Sequence, residues 1–498
     1  MRTCGILMPI FSLAGDYGIG TFGKEAYNFV DFLKKSGQSY WQILPINPTN
    51  YGDSPYQSFS PSAGNPYFID LEMLCEEGLL ETNDFIGVDF GRDESKVDYE
   101  KLYNNRLPVL RKAYNRFKEN QNKEYCAFCE ENAFWLDDYA VFMALKDFNG
   151  GKSFLEWEDK YRFHDENALN AVRIELADDI NFYKVINFLF YKQWNKLKTY
   201  ANKNGIKIIG DMPMYVALDS ADVWGCPKQF MLDEKLYPIS VAGCPPDAFS
   251  DEGQLWGNPL YNWKYMENDR FSWWKQRLKV ALNTYDVIRI DHFRGFESYY
   301  TIPYGSKNAV KGKWEKGPGM KLFNSLKEHF GTLPIIAEDL GFLTEEVHKL
   351  LKDSGFPGMK VLQFAFDSRE ESDYLPHNYI NNCVVYTGTH DNDTINGWAK
   401  TAPKSDVEFA EKYMHLDKNE GLNWCMMRTA LMSVADTCIL MMPDLLGAGS
   451  EARINTPGTV GENWRWRITK GCVNDWLAGI VRENTELYSR AKTENKDN

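Results

Sequence analysis

Three short apolar runs in the second half of the chain each end in acidic residues, and this pattern constrains the fold most strongly. The runs are residues 286–295 (DVIRIDHFRG), 334–341 (PIIAEDLG) and 383–394 (CVVYTGTHDNDT). Strands covered by helices on both faces read as continuous apolar runs. Polar groups gathered at the carboxyl ends of parallel strands are typical of a (β/α)8 barrel. We therefore predict an α/β protein, a (β/α)8 TIM barrel, with an acidic active site.

Within the first run, Arg289 and Asp291 are two residues apart, so both side chains point to the same side of a strand. A guanidinium beside a carboxylate favours the ionised carboxylate. An ionised and oriented carboxylate can act as a nucleophile. A structural ion pair fits this run equally well. The acidic ends of the other two runs, which include Glu338 and Asp391, favour the active site.

The rest of the chain supplies further strands and two long insertions. Apolar runs predict seven strands, at 40–46, 205–213, 286–291, 334–338, 360–366, 383–387 and 437–442. An eighth strand is inferred between Asp211 and Asp286. We interpret 1–498 as one catalytic barrel, with a mainly helical insertion at 71–204 and a long irregular insertion at 224–263. A doubly wound open sheet is the alternative, but neither a G-x-G-x-x-G nor a P-loop motif is present.

Composition excludes several classes of partner. The formal net charge of −14 argues against nucleic acid and against anionic membranes, since both are bound through Lys and Arg. Ten cysteines are scattered without a dense pattern, which indicates reduced thiols. The N-terminus has no signal-peptide pattern, and no apolar run is long enough to span a bilayer. We expect a soluble, cytoplasmic protein.

The acidic strand ends suit glycoside chemistry. Two carboxylates flanking a glycosidic bond can hydrolyse or transfer it, and in retaining enzymes they lie roughly 5 Å apart. The 15 Trp and 28 Tyr residues suit stacking on sugar rings. An Mg²⁺ site is the rival interpretation, since Asp211, Asp291, Glu338 and Asp391 could all supply oxygen ligands. Asp367 follows another predicted strand and belongs to the same candidate set.

Distinctive segments run in order along almost the whole chain. They are GILMPIFSL (5–13), WQILPINPT (41–49), GDMPMYV (210–216), PPDAFSDEGQLWGNPLYNW (245–263), RIDHFRG (289–295), AEDLG (337–341), TGTHDNDT (387–394) and RINTPGTVGENWRWR (453–467). In these segments the chain resembles the 4-α-glucanotransferases (amylomaltases or disproportionating enzymes), relatives of the α-amylase superfamily. The resemblance implies a (β/α)8 barrel with inserted subdomains and no C-terminal β-domain.

The resemblance also implies roles for individual residues. Asp291 corresponds to the nucleophile and Glu338 to the general acid/base. Asp391 corresponds to the residue that holds the 2- and 3-hydroxyls of the sugar. Arg289 would orient Asp291, and His390 would bind the sugar at the cleavage point. The remaining substrate-binding candidates are Asp211, Trp256, Phe249, Tyr56, Tyr51, Asp367 and Asn463.

The implied reaction moves a segment of an α-1,4-glucan, such as a maltooligosaccharide, to the 4-hydroxyl of another glucan or of glucose. It needs no organic cofactor and no metal. The segment around 245–258 corresponds to a lid over the site, and a lid that excludes water favours transfer over hydrolysis. Two alternatives stay open: a retaining α-glucan hydrolase of the amylase type, and a non-catalytic glucan-binding protein.

Overall fold

The computed structural model describes residues 2–120, 122–246, 251–341, 343–417 and 419–491. In chain order its strands are β1 (Thr3–Leu7), β2 (Tyr40–Gln42), β3 (Lys207–Met212), β4 (Ser240–Cys244), β5 (Gln254–Pro259), β6 (Val287–Ile290), β7 (Ser298–Pro303), β8 (Lys313–Lys316), β9 (Ile335–Ala337), β10 (Gly358–Val361), β11 (Cys383–Tyr386) and β12 (Thr437–Met441).

Eight of these strands form one parallel sheet, in the order β10-β11-β12-β1-β2-β3-β6-β9. The two end strands meet where Ala337 N–H donates to Pro357 O at 2.9 Å, which closes the sheet into a barrel. The predicted (β/α)8 fold is therefore confirmed, and the open doubly wound alternative is wrong. No strand follows β12 in the part of the chain that the structure describes.

The eighth barrel strand is β1, so the inference of a barrel strand between Asp211 and Asp286 is wrong. The strands that lie there, β4 and β5, belong to a second sheet. A five-residue run with a central glycine gives little sequence signal for a strand. Close packing explains why a glycine occupies position 5. It pairs with Tyr40 across β1 and β2. A Cβ at Gly5 would lie 2.6 Å from Tyr40 Cβ and 2.9 Å from Ile439 Cδ1. Glycine in a strand often marks such a close approach.

We expect Gly5→Val to destabilise the protein by about 1–3 kcal/mol, because the added side chain forces neighbouring strands apart. Urea denaturation of purified protein measures this change. The matched control is Gly479→Ala in the helix Asp475–Leu487, where nothing lies within 4 Å of the new Cβ. That control should be neutral or slightly stabilising, because alanine is the better helix former. Equal stabilities of the two variants would contradict this account of β1.

Helices surround the barrel and fill the long insertion. The α-helices are Lys24–Lys35, Leu71–Glu76, Tyr99–Phe117, Lys123–Phe148, Asp159–Arg162, Glu166–Glu175, Ala177–Lys203, Ala221–Gly225, Trp263–Asn268, Ser272–Thr284, Met320–Phe330, Glu345–Ser354, Ile395–Thr401, Lys404–Met414, Leu422–Met432, Met442–Leu445 and Asp475–Leu487. Six of them lie within 71–204, and their buried side chains join the same apolar core as the barrel strands. No described helix is long and apolar enough to cross a membrane.

The segment 224–263 is more regular than its sequence indicates. Its strands β4 and β5 form an antiparallel sheet with β7 and β8, in the order β5-β4-β7-β8. The prediction of an irregular stretch is therefore wrong for these residues. The sequence pattern for a strand is weak here because β4 is short and contains a glycine. Gly243 is required by packing, since a Cβ at this position would lie 2.1 Å from Gln254 O.

The strand predicted at 360–366 is also corrected. Strand β10 ends at Val361, and the chain turns into a 3-10 helix at Leu362–Phe364. Its apolar side chains still enter the core, which explains why the sequence reads as a longer strand. Asp367 therefore lies six residues beyond the strand and not at its tip.

Candidate active site

The predicted acids meet at the carboxyl end of the barrel because the strands that carry them are neighbours. Ile290 pairs with Ala337 across β6 and β9, so the next residues, Asp291 and Glu338, emerge side by side. On the other side of β6, Arg289 pairs with Asp211 of β3. This register places three carboxylates around one guanidinium.

Arg289 links two of these carboxylates. Its Nη1 donates to Asp211 Oδ1 at 2.8 Å, to Asp211 Oδ2 at 2.7 Å and to Asp291 Oδ1 at 3.2 Å. The Arg289 and Asp211 side chains are buried, whereas the Asp291 side chain is 30 % exposed. Asp211 thus holds the guanidinium in place, and Asp291 faces the open side of the site.

Glu338 is fixed by the backbone. His292 N–H donates to its Oε2 and Leu340 N–H donates to its Oε1, each at 2.7 Å. Burial raises the pKa of Glu338 and of Asp291, and for both groups the charge of Arg289 acts in the opposite direction. Both groups therefore keep a proton to a higher pH than an exposed carboxyl does. The hydrogen bond from Arg289 favours the negative charge on Asp291.

Asp391 lies beyond β11, and a second chain segment holds it. Asn455 Nδ2 donates to Asp391 Oδ1 at 2.6 Å, and Arg453 Nη2 donates to the Asp391 backbone oxygen at 2.8 Å. His390 Nε2 lies 3.4 Å from Asp391 Oδ1. Burial lowers the pKa of His390, so its imidazole is neutral near pH 7. The Asp391 side chain is 45 % exposed and open to a ligand.

Aromatic rings line the site on two sides. Tyr56 stacks on His390 with ring centroids 5.2 Å apart, and Trp464 contacts both rings. The Tyr56 hydroxyl donates to Asp211 Oδ2 at 2.8 Å. On the other side, Trp256 meets His292 edge-on at 4.8 Å. The rings place apolar surface beside the acids, as a sugar-binding site requires.

Four predicted residues are not brought to this cluster by any described contact. Asp367 binds the side chain and backbone N–H of Arg369, at 2.6–2.9 Å. The Asn463 side-chain amide forms hydrogen bonds within its own loop, to Thr456 and Thr459. The backbone of Tyr51 opens the 3-10 turn Tyr51–Asp53. Phe249 lies outside the described residues.

Sequence reasoning missed Arg453, Asn455 and Trp464, all of which contact predicted site residues. Their segment, RINTPGTVGENWRWR, forms no regular strand or helix around Asn455. Its concentration of Arg, Asn, Gly and Trp was the available signal, because loops at the carboxyl end of a barrel carry functional groups. Within the described residues, no cluster of three or more His, Cys, Asp or Glu side chains is arranged to hold a metal ion.

We expect Asn455→Ala to lower kcat/KM by about 10- to 100-fold, because an Asp391 carboxylate that is no longer held loses its alignment with the ligand. Steady-state kinetics measures the loss. The control is Asn484→Ala, whose amide donates to Ile480 O within its own helix. An Asn455→Ala variant as active as the control would show that the contact with Asp391 does not position it.

The fold and the site together define a (β/α)8-barrel enzyme with carboxylates at the carboxyl ends of β6 and β9. A family model described as 4-alpha-glucanotransferase matches residues 8–473. The chain belongs to this family and is an enzyme of this type.

Individual relatives agree over the full length. The 4-alpha-glucanotransferase of Clostridium butyricum is 50% identical over 487 residues, which cover 97% of this chain and 100% of the relative. That of Thermus thermophilus is 47% identical over 98% of this chain and 99% of the relative. The structure of amylomaltase from Streptococcus agalactiae in complex with acarbose superposes with a TM-score of 0.97, at 44% identity, covering 99% of this chain and 100% of that chain.

Proposed function

We propose that this enzyme transfers a segment of an α-1,4-glucan to the 4-hydroxyl of a second glucan or of glucose, by retaining double displacement. The observation that carries the proposal is the side-by-side emergence of Asp291 and Glu338 from paired strands, with Arg289 bound to Asp291. The relatives' names support the substrate class.

In the first step, the Asp291 carboxylate attacks the anomeric carbon while Glu338 gives its proton to the leaving glycosidic oxygen. A covalent glycosyl-enzyme forms and the shortened glucan departs. In the second step, the Glu338 carboxylate takes the proton of the acceptor 4-hydroxyl, and that oxygen displaces Asp291. The two inversions restore the α configuration.

The other residues stabilise and orient the groups that react. Asp391, held by Asn455, would accept hydrogen bonds from the 2- and 3-hydroxyls, which strengthen as positive charge develops on the ring. Arg289 favours the ionised form of Asp291 and aligns it, and Asp211 holds Arg289 in place. His390 and Tyr56 form a wall against which the sugar ring can lie.

Transfer exceeds hydrolysis only if an acceptor sugar reaches the glycosyl-enzyme before water does. Trp256 offers a ring beside His292, directly next to the nucleophile, and so can hold an acceptor. We propose that 224–263 acts with 71–204 as the insertions that shape this acceptor side. Phe249 and Tyr51 remain candidates for contacts there.

Labelled glucose tests the acceptor step. Purified enzyme is incubated with maltotetraose and an excess of isotopically labelled glucose, and products are resolved by length. Label in maltose and longer chains supports the proposal. Label confined to glucose, with new reducing ends formed at the same rate as without added glucose, would favour the α-glucan hydrolase.

The location proposed for the enzyme is the cytoplasm. The structure gives the cysteines as thiols, among them the buried Cys4, Cys383, Cys425 and Cys438. Reduced thiols suit a reducing compartment. Cell fractionation tests this location, and enzyme found mainly outside the cytoplasmic fraction would contradict it.

A further inference from the structure

We infer that Tyr237 and Tyr304 form a second binding site for α-1,4-glucan chains, on the four-stranded sheet and away from the acids. This inference rests on the proposed function, because it takes the same substrate class. The site consists of the two tyrosine rings and the exposed side chain of Ile239, and we refer to these three residues as the tyrosine platform.

The Tyr304 ring is open to solvent, the Tyr237 ring is partly buried, and the two rings are tilted towards each other. Their centroids lie 6.0 Å apart and their planes meet at 41°. Tyr304 is 46 % exposed and Ile239 is 56 % exposed. Chains of α-1,4-linked glucose curve, so successive sugar rings are tilted in the same sense. Two flat rings at an angle fit such a chain better than they fit a flat ligand.

Backbone hydrogen bonds and one side-chain contact hold the platform in place. Asp233 Oδ1 accepts the Tyr237 N–H at 2.9 Å, and Asp233 N–H donates back to Tyr237 O at 2.8 Å. Arg162 lies over the Tyr237 ring at 5.3 Å. Tyr304 N–H donates to Ile239 O, which fixes the backbone of Tyr304 beside that of Ile239. Side chains ordered in advance lose less entropy when a ligand binds.

The polar groups of the platform are available to a sugar. Among the described residues, neither tyrosine hydroxyl has a hydrogen-bond partner within the protein. Each can therefore donate to, or accept from, a glucose hydroxyl while its ring packs on the apolar face of the sugar. A neutral, amphipathic ligand suits these groups, and the strongly negative chain disfavours a polyanion.

The platform is separate from the active site, although the same sheet carries residues of both. Strand β4 runs from beside Ile239 to Gly243, which pairs with Leu255, the neighbour of Trp256 on β5. Four residues of strand correspond to about 13 Å. Because Leu255 shares a face of the sheet with Gly243 and Ile239, the next residue, Trp256, points to the opposite face. A trisaccharide bound beside Trp256 and the acids would therefore not contact the platform.

A second copy of the chain is the competing occupant. Stable protein interfaces bury about 800 Å² on each partner. Three side chains supply much less than this, so the platform fits a slender polysaccharide chain better than a protein surface.

The test is a comparison of long and short donors in the variant Tyr237→Ala/Tyr304→Ala. We expect KM for long-chain amylose to rise between about 3- and 10-fold, with kcat and the maltotriose kinetics unchanged. Migration in a native gel containing glycogen should be less retarded than for the parent enzyme. The matched control is Tyr265→Ala, another exposed tyrosine, which should change none of these values.

Three outcomes would overturn the inference: an unchanged KM for amylose, gel retardation equal to that of the parent, or a parent dimer that the double variant turns into a monomer. Sedimentation measures the last of these. If the parent enzyme fails to convert maltotriose, the proposed function is wrong, but the glycogen gel still decides whether the platform binds glucan.

Discussion

Replacing Asp291 with Asn is expected to reduce kcat on the order of 10⁴- to 10⁶-fold, because the amide cannot form the glycosyl-enzyme. The fold should survive, since Asp211 still holds Arg289 through two short contacts and the Asp291 side chain is partly exposed. Affinity for a maltooligosaccharide, measured calorimetrically, should therefore remain.

The control for this variant is Asp353→Asn, which makes the same chemical change in an exposed ion pair with Lys349 on a surface helix. It should keep full activity. Retained turnover in Asp291→Asn would remove Asp291 from the mechanism. Normal binding without turnover would also exclude the non-catalytic alternative, because the parent enzyme and the variant would then bind glucan equally and differ only in turnover.

Replacing Glu338 with Gln has the second largest expected effect, a loss of about 10²- to 10⁴-fold in kcat. A donor whose leaving group needs no proton separates this role from that of Asp291. With an α-maltosyl fluoride, Glu338→Gln should form the glycosyl-enzyme at nearly the parent rate, observed as a burst of fluoride. Asp291→Asn should release none. A Glu338→Gln variant that is equally slow with fluoride and with glucan would show that Glu338 is not the acid.

The pH dependence has a definite sign. Burial raises the pKa of Glu338, so the proton that Glu338 donates in the proposed mechanism is present below that raised pKa and is lost as pH increases through it. The parent rate with glucan should therefore fall on the alkaline side. The fluoride burst of Glu338→Gln should not fall there, because no proton is donated in that step.

Much of the site followed from local sequence pattern. The spacing of Arg289 and Asp291 placed both side chains on one side of a strand, and apolar runs ending in acids placed Glu338 and Asp391 at strand ends. Parallel pairing then brought them together. The pattern could not show that Arg289 binds Asp211 more closely than Asp291, because that depends on the register between β3 and β6.

What the sequence could not predict depends on contacts between distant segments. Asn455 reaches Asp391 across 64 residues of chain. Strand β1 was missed because Gly5 fits against Tyr40 only in the folded barrel. Asp367 was placed at a strand tip because Leu362–Phe364 is as apolar as a strand, although it turns into a 3-10 helix. In each case tertiary packing decided the local structure.

Product lengths from maltotriose test the central claim most directly. Purified enzyme is incubated with maltotriose alone, and all chains are resolved over time. Transfer predicts glucose together with maltopentaose and longer chains, with a constant number of reducing ends. Glucose and maltose alone, with reducing ends that increase as maltotriose disappears, would contradict it and identify a hydrolase.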